Sequence, residues 1–188
     1  MGRASFAEVF GHYKKFLDGR DDTRKLALIG PVGTGRSSLL AAFACLLSRL
    51  GKHVVFIPNC SLLQRDFIYI MKPALYFAIP PDLHTAIDAV DSFEEIMELL
   101  HDFKKDYFVF VFLNWDALYY YSSRISATER ATFFESIDKI TSNHYSVYSI
   151  SLNVEWPQAL KACGDIVDTI NLNEGLVQVR IVFPFDIH

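Results

Sequence analysis

Residues Leu28–Ser38 read LIGPVGTGRSS. Within this stretch, Gly30-Pro31-Val32-Gly33-Thr34-Gly35-Arg36-Ser37 fits the pattern G-x-x-x-x-G-K-[ST] everywhere except at the lysine, which is replaced by Arg36. Each residue type has a mechanical reason. Gly30, Gly33 and Gly35 let the backbone turn through conformations closed to other residues, so that its amides can approach an anion unobstructed. A helix starting near Arg36 aims its unsatisfied N–H groups and positive dipole end at the same place. The Ser37 hydroxyl suits Mg²⁺ bridging the outer phosphates of a nucleotide. The candidate nucleotide-contacting set is therefore Gly30, Gly33, Thr34, Gly35, Arg36, Ser37 and Ser38, with ATP or GTP and Mg²⁺ as the expected ligands.

Arg36 separates binding from turnover. A guanidinium is permanently charged and binds phosphate, but it is planar and larger than the ammonium that would lie between the outer phosphates. Most of the grip comes from charge-assisted amide bonds, each worth about 1.5–3 kcal/mol, and these survive the replacement. Misplacing one stabiliser of transition-state charge costs about 10²–10³ in rate. Affinity is expected to persist where hydrolysis is weak or lost, so whether the chain is an enzyme stays open.

The flanks of the loop set the fold. The segment Arg24–Ile29 is a short apolar run stopping at glycine, which suits a buried strand. Leu39, Phe43, Leu46 and Leu50 mark one face of a helix ending near Gly51. Further strands are expected at His53–Asn59, Asp106–Leu113, Ser146–Asn153, Asp165–Leu172 and Val177–Phe185, with helices from Phe93 to a last turn carrying Lys104 and Lys105, at Thr128–Asn143 and at Pro157–Cys163. The strand Phe108–Leu113 is apolar on both faces and belongs inside a parallel sheet. Between Ser61 and Pro80, Pro73 interrupts helical patterning, so a kinked helix or two short ones fit. Phe6, Val9, Phe10, Tyr13 and Phe16 predict an N-terminal amphipathic helix over residues 1–20, ahead of an α/β core over 24–188. The alternation predicts one α/β domain spanning 1–188, a three-layer P-loop NTPase-like fold with a mainly parallel central sheet and a closing antiparallel hairpin around Asn173-Glu174-Gly175.

Composition narrows the function classes. A net charge of −4 gives no electrostatic footprint for nucleic-acid binding across the domain. No run is long enough to span a membrane, and the first residues carry no secretion signal. Cys45, Cys60 and Cys163 are scattered, consistent with reduced thiols, and the six histidines form no ligand spacing.

A hydrolysing member of such a fold needs an acid at the end of a central strand and a neighbouring polar group that orients water. After Phe112 the chain reads Leu113-Asn114-Trp115-Asp116, which makes Asn114 and Asp116 the catalytic candidates and adds Asp116 to Ser37 as a metal candidate. Asp116 reaches metal through water or caps the next turn. Asn153 is a γ-phosphate sensor or a turn asparagine; Tyr119–Tyr121 are packing or partner surface; Arg124 and Arg130 are solvated or reach a neighbouring subunit's phosphates.

The run LIGPVGTGRSSLLAAFACLLSRLGKHVVFIPNC, followed by LNWDAL, resembles the P-loop NTPase domain of Crinkler-type effector proteins and their transposon-related relatives, over most of Leu26–Asn153. That family shows a loop of G-P-x-G-x-G-K-S type, a strand ending in P-[DN]-C and a later D-Q-x-N-A-L-like motif. By this resemblance Gly30, Gly35 and Ser37 match the phosphate and magnesium binders, Leu113 takes the place of the magnesium acid, Asn114 that of the glutamine and Asp116 that of the asparagine. It implies secretion into a host cell and action in its nucleus, with a nucleotide as ligand and self-association or a host protein as partner. The alternative is a non-catalytic pseudo-NTPase acting as an interaction or oligomerisation module of a secreted effector.

Overall fold

The computed structural model describes residues 2–19, 23–101, 108–120, 126–152, 159, 161, 163, 166–172 and 177–182. Six strands form one sheet: β1 (Lys25–Gly30), β2 (His53–Ile57), β3 (Phe108–Phe112), β4 (Tyr145–Ser151), β5 (Ile166–Asn171) and β6 (Val177–Val182), in the order β2-β3-β4-β1-β5-β6. The first five run parallel, and β6 returns antiparallel to β5 in the register Ile166↔Val182 to Asn171↔Val177. This is the expected mainly parallel sheet with a closing antiparallel pair. The turn at residues 173–175 and most of the helix expected at Pro157–Cys163 lie outside the described residues.

The period of two along each strand sorts side chains onto two faces. Leu26 and Leu28 of β1, Val109 and Val111 of β3, and Val147 of β4 join Val9 and Tyr13 of helix α1 (Gly2–Leu17) and Leu40, Phe43 and Leu47 of helix α2 (Arg36–Arg49). Ala27 and Ile29, Phe108, Phe110 and Phe112, and Tyr148 and Ile150 face the other way. There they meet helices α3 (Phe67–Ala78), α4 (His84–Asp88), α5 (Phe93–His101), α6 (Ala117–Tyr120) and α7 (Ala127–Thr141). Helices on both faces of a sheet make the three layers, and they explain why β3 is buried at every position.

Two local outcomes refine the sequence reading. The stretch 61–80 forms a three-ten turn (Cys60–Leu62) and then one helix, α3, which runs through Pro73. Proline removes the bond to the Tyr69 carbonyl, and Tyr69 is 71% exposed, where water can take that carbonyl. Helix α7 starts one residue earlier than expected because Ser126 and Glu129 form a reciprocal capping box, and hydrogen bonds from Ser126 hold the Glu129 carboxyl below its usual range.

Helix α1 is pinned to the sheet by a buried polar contact. His12 Nε2–H donates to Asp168 Oδ2 on β5 at 2.5 Å, and Nδ1 lies 2.9 Å from the Tyr145 hydroxyl on β4, which donates to it in the neutral tautomer. All three side chains are buried. Removing the hydroxyl alone, Tyr145→Phe, is expected to cost about 1 kcal/mol and lower Tm by roughly 2–4 °C in thermal unfolding, since the ring packing stays.

Candidate functional site

The carboxyl ends of β1 and β4 adjoin, and their connections diverge: β1 leads out to the β2 edge, whereas β4 leads to β5 on the other flank of β1. Such a divergence opens a crevice at the carboxyl ends of a parallel sheet. The glycine-rich loop lies there. Residues 31–35 are exposed, and a turn is held by the Thr34 hydroxyl and amide, both donating to the Pro31 carbonyl, at 2.9 and 3.4 Å. Gly33 and Gly35 adopt φ of 88° and 79°, a left-handed backbone that explains why both are glycine. A Cβ on either would meet nothing within 4 Å, so the space over the loop is open.

Gly35 is the N-cap of α2, and no side chain caps the helix. The Leu39 amide bonds the Gly35 carbonyl at 2.9 Å, so those of Arg36, Ser37 and Ser38 precede the first helical bond. Ser37 and Ser38 are exposed. The exposed loop and the uncapped helix start together place backbone donors at the positive end of a helix, with open space over Gly33 and Gly35.

Arg36 is placed otherwise than its charge suggests. It is 7% exposed and turns under the loop onto the carboxyl edge of the sheet. Its guanidinium donates to the carbonyls of Gly30 and Ile150, and to the Ser151 hydroxyl at 2.9 Å. Burial pulls the guanidinium below its ordinary range, and the neighbouring Asp116 carboxylate offsets part of that. Asp116 is 5% exposed, and its Oδ1 accepts from the Ser151 amide at 2.9 Å. One residue, Ser151, thus receives the cation on its hydroxyl and offers its amide to the anion.

The other candidates divide by depth. Asn114 is exposed with a left-handed φ of 54°, whereas Leu113 and Trp115 on either side of it are buried. Backbone bonds continue past β3: Leu113 N–H donates to the Ile57 carbonyl at 2.9 Å, Trp115 N–H to Ser149 at 2.9 Å, and Cys60 N–H to Leu113 at 3.2 Å. In the Pro58-Asn59-Cys60 strand end, the Asn59 side chain accepts from the Ser61 amide at 3.0 Å, and burial pushes the Cys60 thiol well up, with Asp116 and Cys163 adding to it. Pro58–Cys60 and Leu113–Asp116 therefore knit β2, β3 and β4 together behind the loop. Arg130 lies 5.7 Å from the centre of the Tyr119 ring. Tyr121, Arg124 and Asn153 lie outside the described residues.

A separate apolar hollow of about 400 Å³, lined by Phe56, Pro58, Leu62, Tyr69, Pro73 and Phe77, flanks the edge strand β2. With β3 and β4 between it and β1, it is not part of the loop site.

No family model matches the chain, and no curated protein matches it. Solved structures similar to it in part include the following two. The structure of PCH-2 from C. elegans matches with 21% identity and a TM-score of 0.41, over 79% of this chain and 35% of that one. The cytoplasmic domain of the type VII secretion ATPase EccC from Thermomonospora curvata matches with 11% identity and a TM-score of 0.38, over 86% of this chain and 21% of that one. The chain thus spans about a third and a fifth of their lengths.

The donors expected for Mg²⁺ do not fit it. Magnesium needs octahedral oxygen ligands, usually one or two carboxylates with water and phosphate. Ser37 offers an exposed hydroxyl, but Asp116 is buried, bonded to the Ser151 amide and beside a fixed cation, and Leu113 carries no donor. Among the described residues no group of three or more His, Cys, Asp or Glu side chains could hold a metal. The uncapped start of α2 and the open space over Gly33 and Gly35, by contrast, leave room for an anion. Among the described residues no helix is long and apolar enough to cross a membrane.

Proposed function

We propose that the chain binds a nucleotide, ATP or GTP, through the Gly30–Ser38 loop and hydrolyses it weakly or not at all. The observation that carries this is the left-handed pair Gly33 and Gly35 running into an uncapped helix end, with open space above both glycines. Backbone amides supply the affinity. The two side chains on which turnover would depend, Arg36 and Asp116, are engaged with the sheet edge instead. The finer assignment rests on the resemblance described above: a degenerate member of the Crinkler-type P-loop NTPases, delivered to a host nucleus and acting there with self or host protein partners. It draws on the loop, the Pro58-Asn59-Cys60 strand end and Asn114–Leu118, which form one connected end of the sheet.

Calorimetric titration with ATP and GTP tests the reading. At a ligand concentration of about 100 Kd, bound nucleotide stabilises by about 2.7 kcal/mol and raises Tm by roughly 5–10 °C. Gly35→Val should abolish that ligand-induced rise, because a β-branched residue at positive φ forces the loop to rearrange. The readout is the difference between liganded and free Tm, since the substitution also strains the free protein. Phosphate release by the wild type should stay near background. No heat and no Tm shift at millimolar nucleotide would remove the proposal.

A further inference from the structure

We infer that the loop takes the diphosphate part of a nucleotide as the free anion, with no divalent cation, a specificity that rests on the nucleotide-binding reading above. The geometry behind this is the Arg36–Ser151–Asp116 arrangement. In a cation-dependent site, a metal neutralises the outer phosphates and a carboxylate holds the metal's shell. Here the cation is built in and stationary: the Arg36 guanidinium is fastened to Gly30, Ile150 and Ser151 directly beneath the loop that the phosphates would enter. The carboxylate that would answer a metal is itself answered, by the Ser151 amide at 2.9 Å and by the charge of Arg36.

A divalent ion arriving at the Ser37 hydroxyl would therefore find Asp116 already bonded through Oδ1, and it would lie near a like charge that cannot move away without giving up its bonds to the Gly30 and Ile150 carbonyls and the Ser151 hydroxyl. The same commitment limits reach in the other direction. Held on the sheet edge, Arg36 does not extend past the loop to a third phosphate. What remains for recognition is the row of backbone amides at the uncapped start of α2, which meets the phosphates nearest the helix end with the Arg36 cation reaching no further.

The test is a four-way comparison on the full 188-residue chain: dissociation constants for ADP and ATP by calorimetry, each with excess Mg²⁺ and each with EDTA, at constant ionic strength. All four are expected to agree within about threefold, a spread of about 0.65 kcal/mol. A tenfold or greater loss on removing Mg²⁺, or a tenfold preference for ATP over ADP, overturns the inference and leaves nucleotide binding standing. Absence of binding in all four arms overturns both.

Discussion

Arg36→Ala is expected to lower the thermal unfolding midpoint by roughly 6–12 °C, corresponding to about 3 kcal/mol for a chain of this length. A surface arginine would give almost nothing. Arg36 is 7% exposed and bonds the Gly30 and Ile150 carbonyls and the Ser151 hydroxyl, so truncation removes donors from acceptors that water reaches poorly. The Gly30 carbonyl keeps its bond from the Leu152 amide at 3.0 Å, which moderates the loss there. Asp116 keeps the Ser151 amide but loses a neighbouring positive charge, which adds to the cost. Arg36→Lys should fall between, at about 1–2 kcal/mol, because an ammonium retains the charge but cannot fork to three acceptors. Combined with Asp116→Asn, Arg36→Ala should cost less than the two single changes added, since each removes the reason for the other. An Arg36→Ala protein within 0.5 kcal/mol of wild type would mean that the guanidinium is not fastened to the sheet, and the cation-free site would lose its basis.

That role for Arg36 was not legible in the sequence, and the reason is directional. Position 36 follows the last glycine of the loop, so the sequence gives a cation at the first turn of a helix. Whether that cation points forward into the crevice or back under the loop depends on what the ends of β1 and β4 offer. Ile150 and Ser151 lie more than a hundred residues away in the chain. The same limit hid the contact of His12 with Asp168 and Tyr145, which the sequence scatters over three elements and the sheet order brings to one point. What local chemistry determines was readable: the apolar strand before Gly30, the glycines at positive φ, the helix after them and the doubly buried β3. Asp116 falls between. Its position near the crevice follows from the strand that precedes it, but the expected choice between a metal and a turn omitted the bond it makes to the β4 amide of Ser151.

Trp115→Ala is the substitution with the largest expected effect, about 3–5 kcal/mol, or a fall in Tm of roughly 8–15 °C. Attention to the polar residues of Asn114–Asp116 passes over it, yet its indole is fully buried. The ring lies 5.2 Å from Phe112, 4.9 Å from Tyr148 and 5.6 Å from Phe134, centre to centre, while its Nε1–H donates to the Ala159 carbonyl at 3.1 Å. It therefore joins β3, β4, α7 and Ala159 at the end of β3. Trp115→Phe should recover most of the loss, ending about 1–2 kcal/mol below wild type, because a smaller ring refills part of the volume while the Ala159 carbonyl goes unbonded. The pair of substitutions also separates scaffold from site. The partners of the Trp115 side chain are Phe112, Phe134, Tyr148 and the Ala159 carbonyl rather than loop residues, so a folded Trp115→Phe protein should bind nucleotide within about threefold of wild type, whereas Gly35→Val should not bind it at all. Were Trp115→Phe to lose nucleotide with its fold intact, the affinity would have to come from the Leu113–Asp116 segment, and the backbone amides of the loop would be the lesser part of the site.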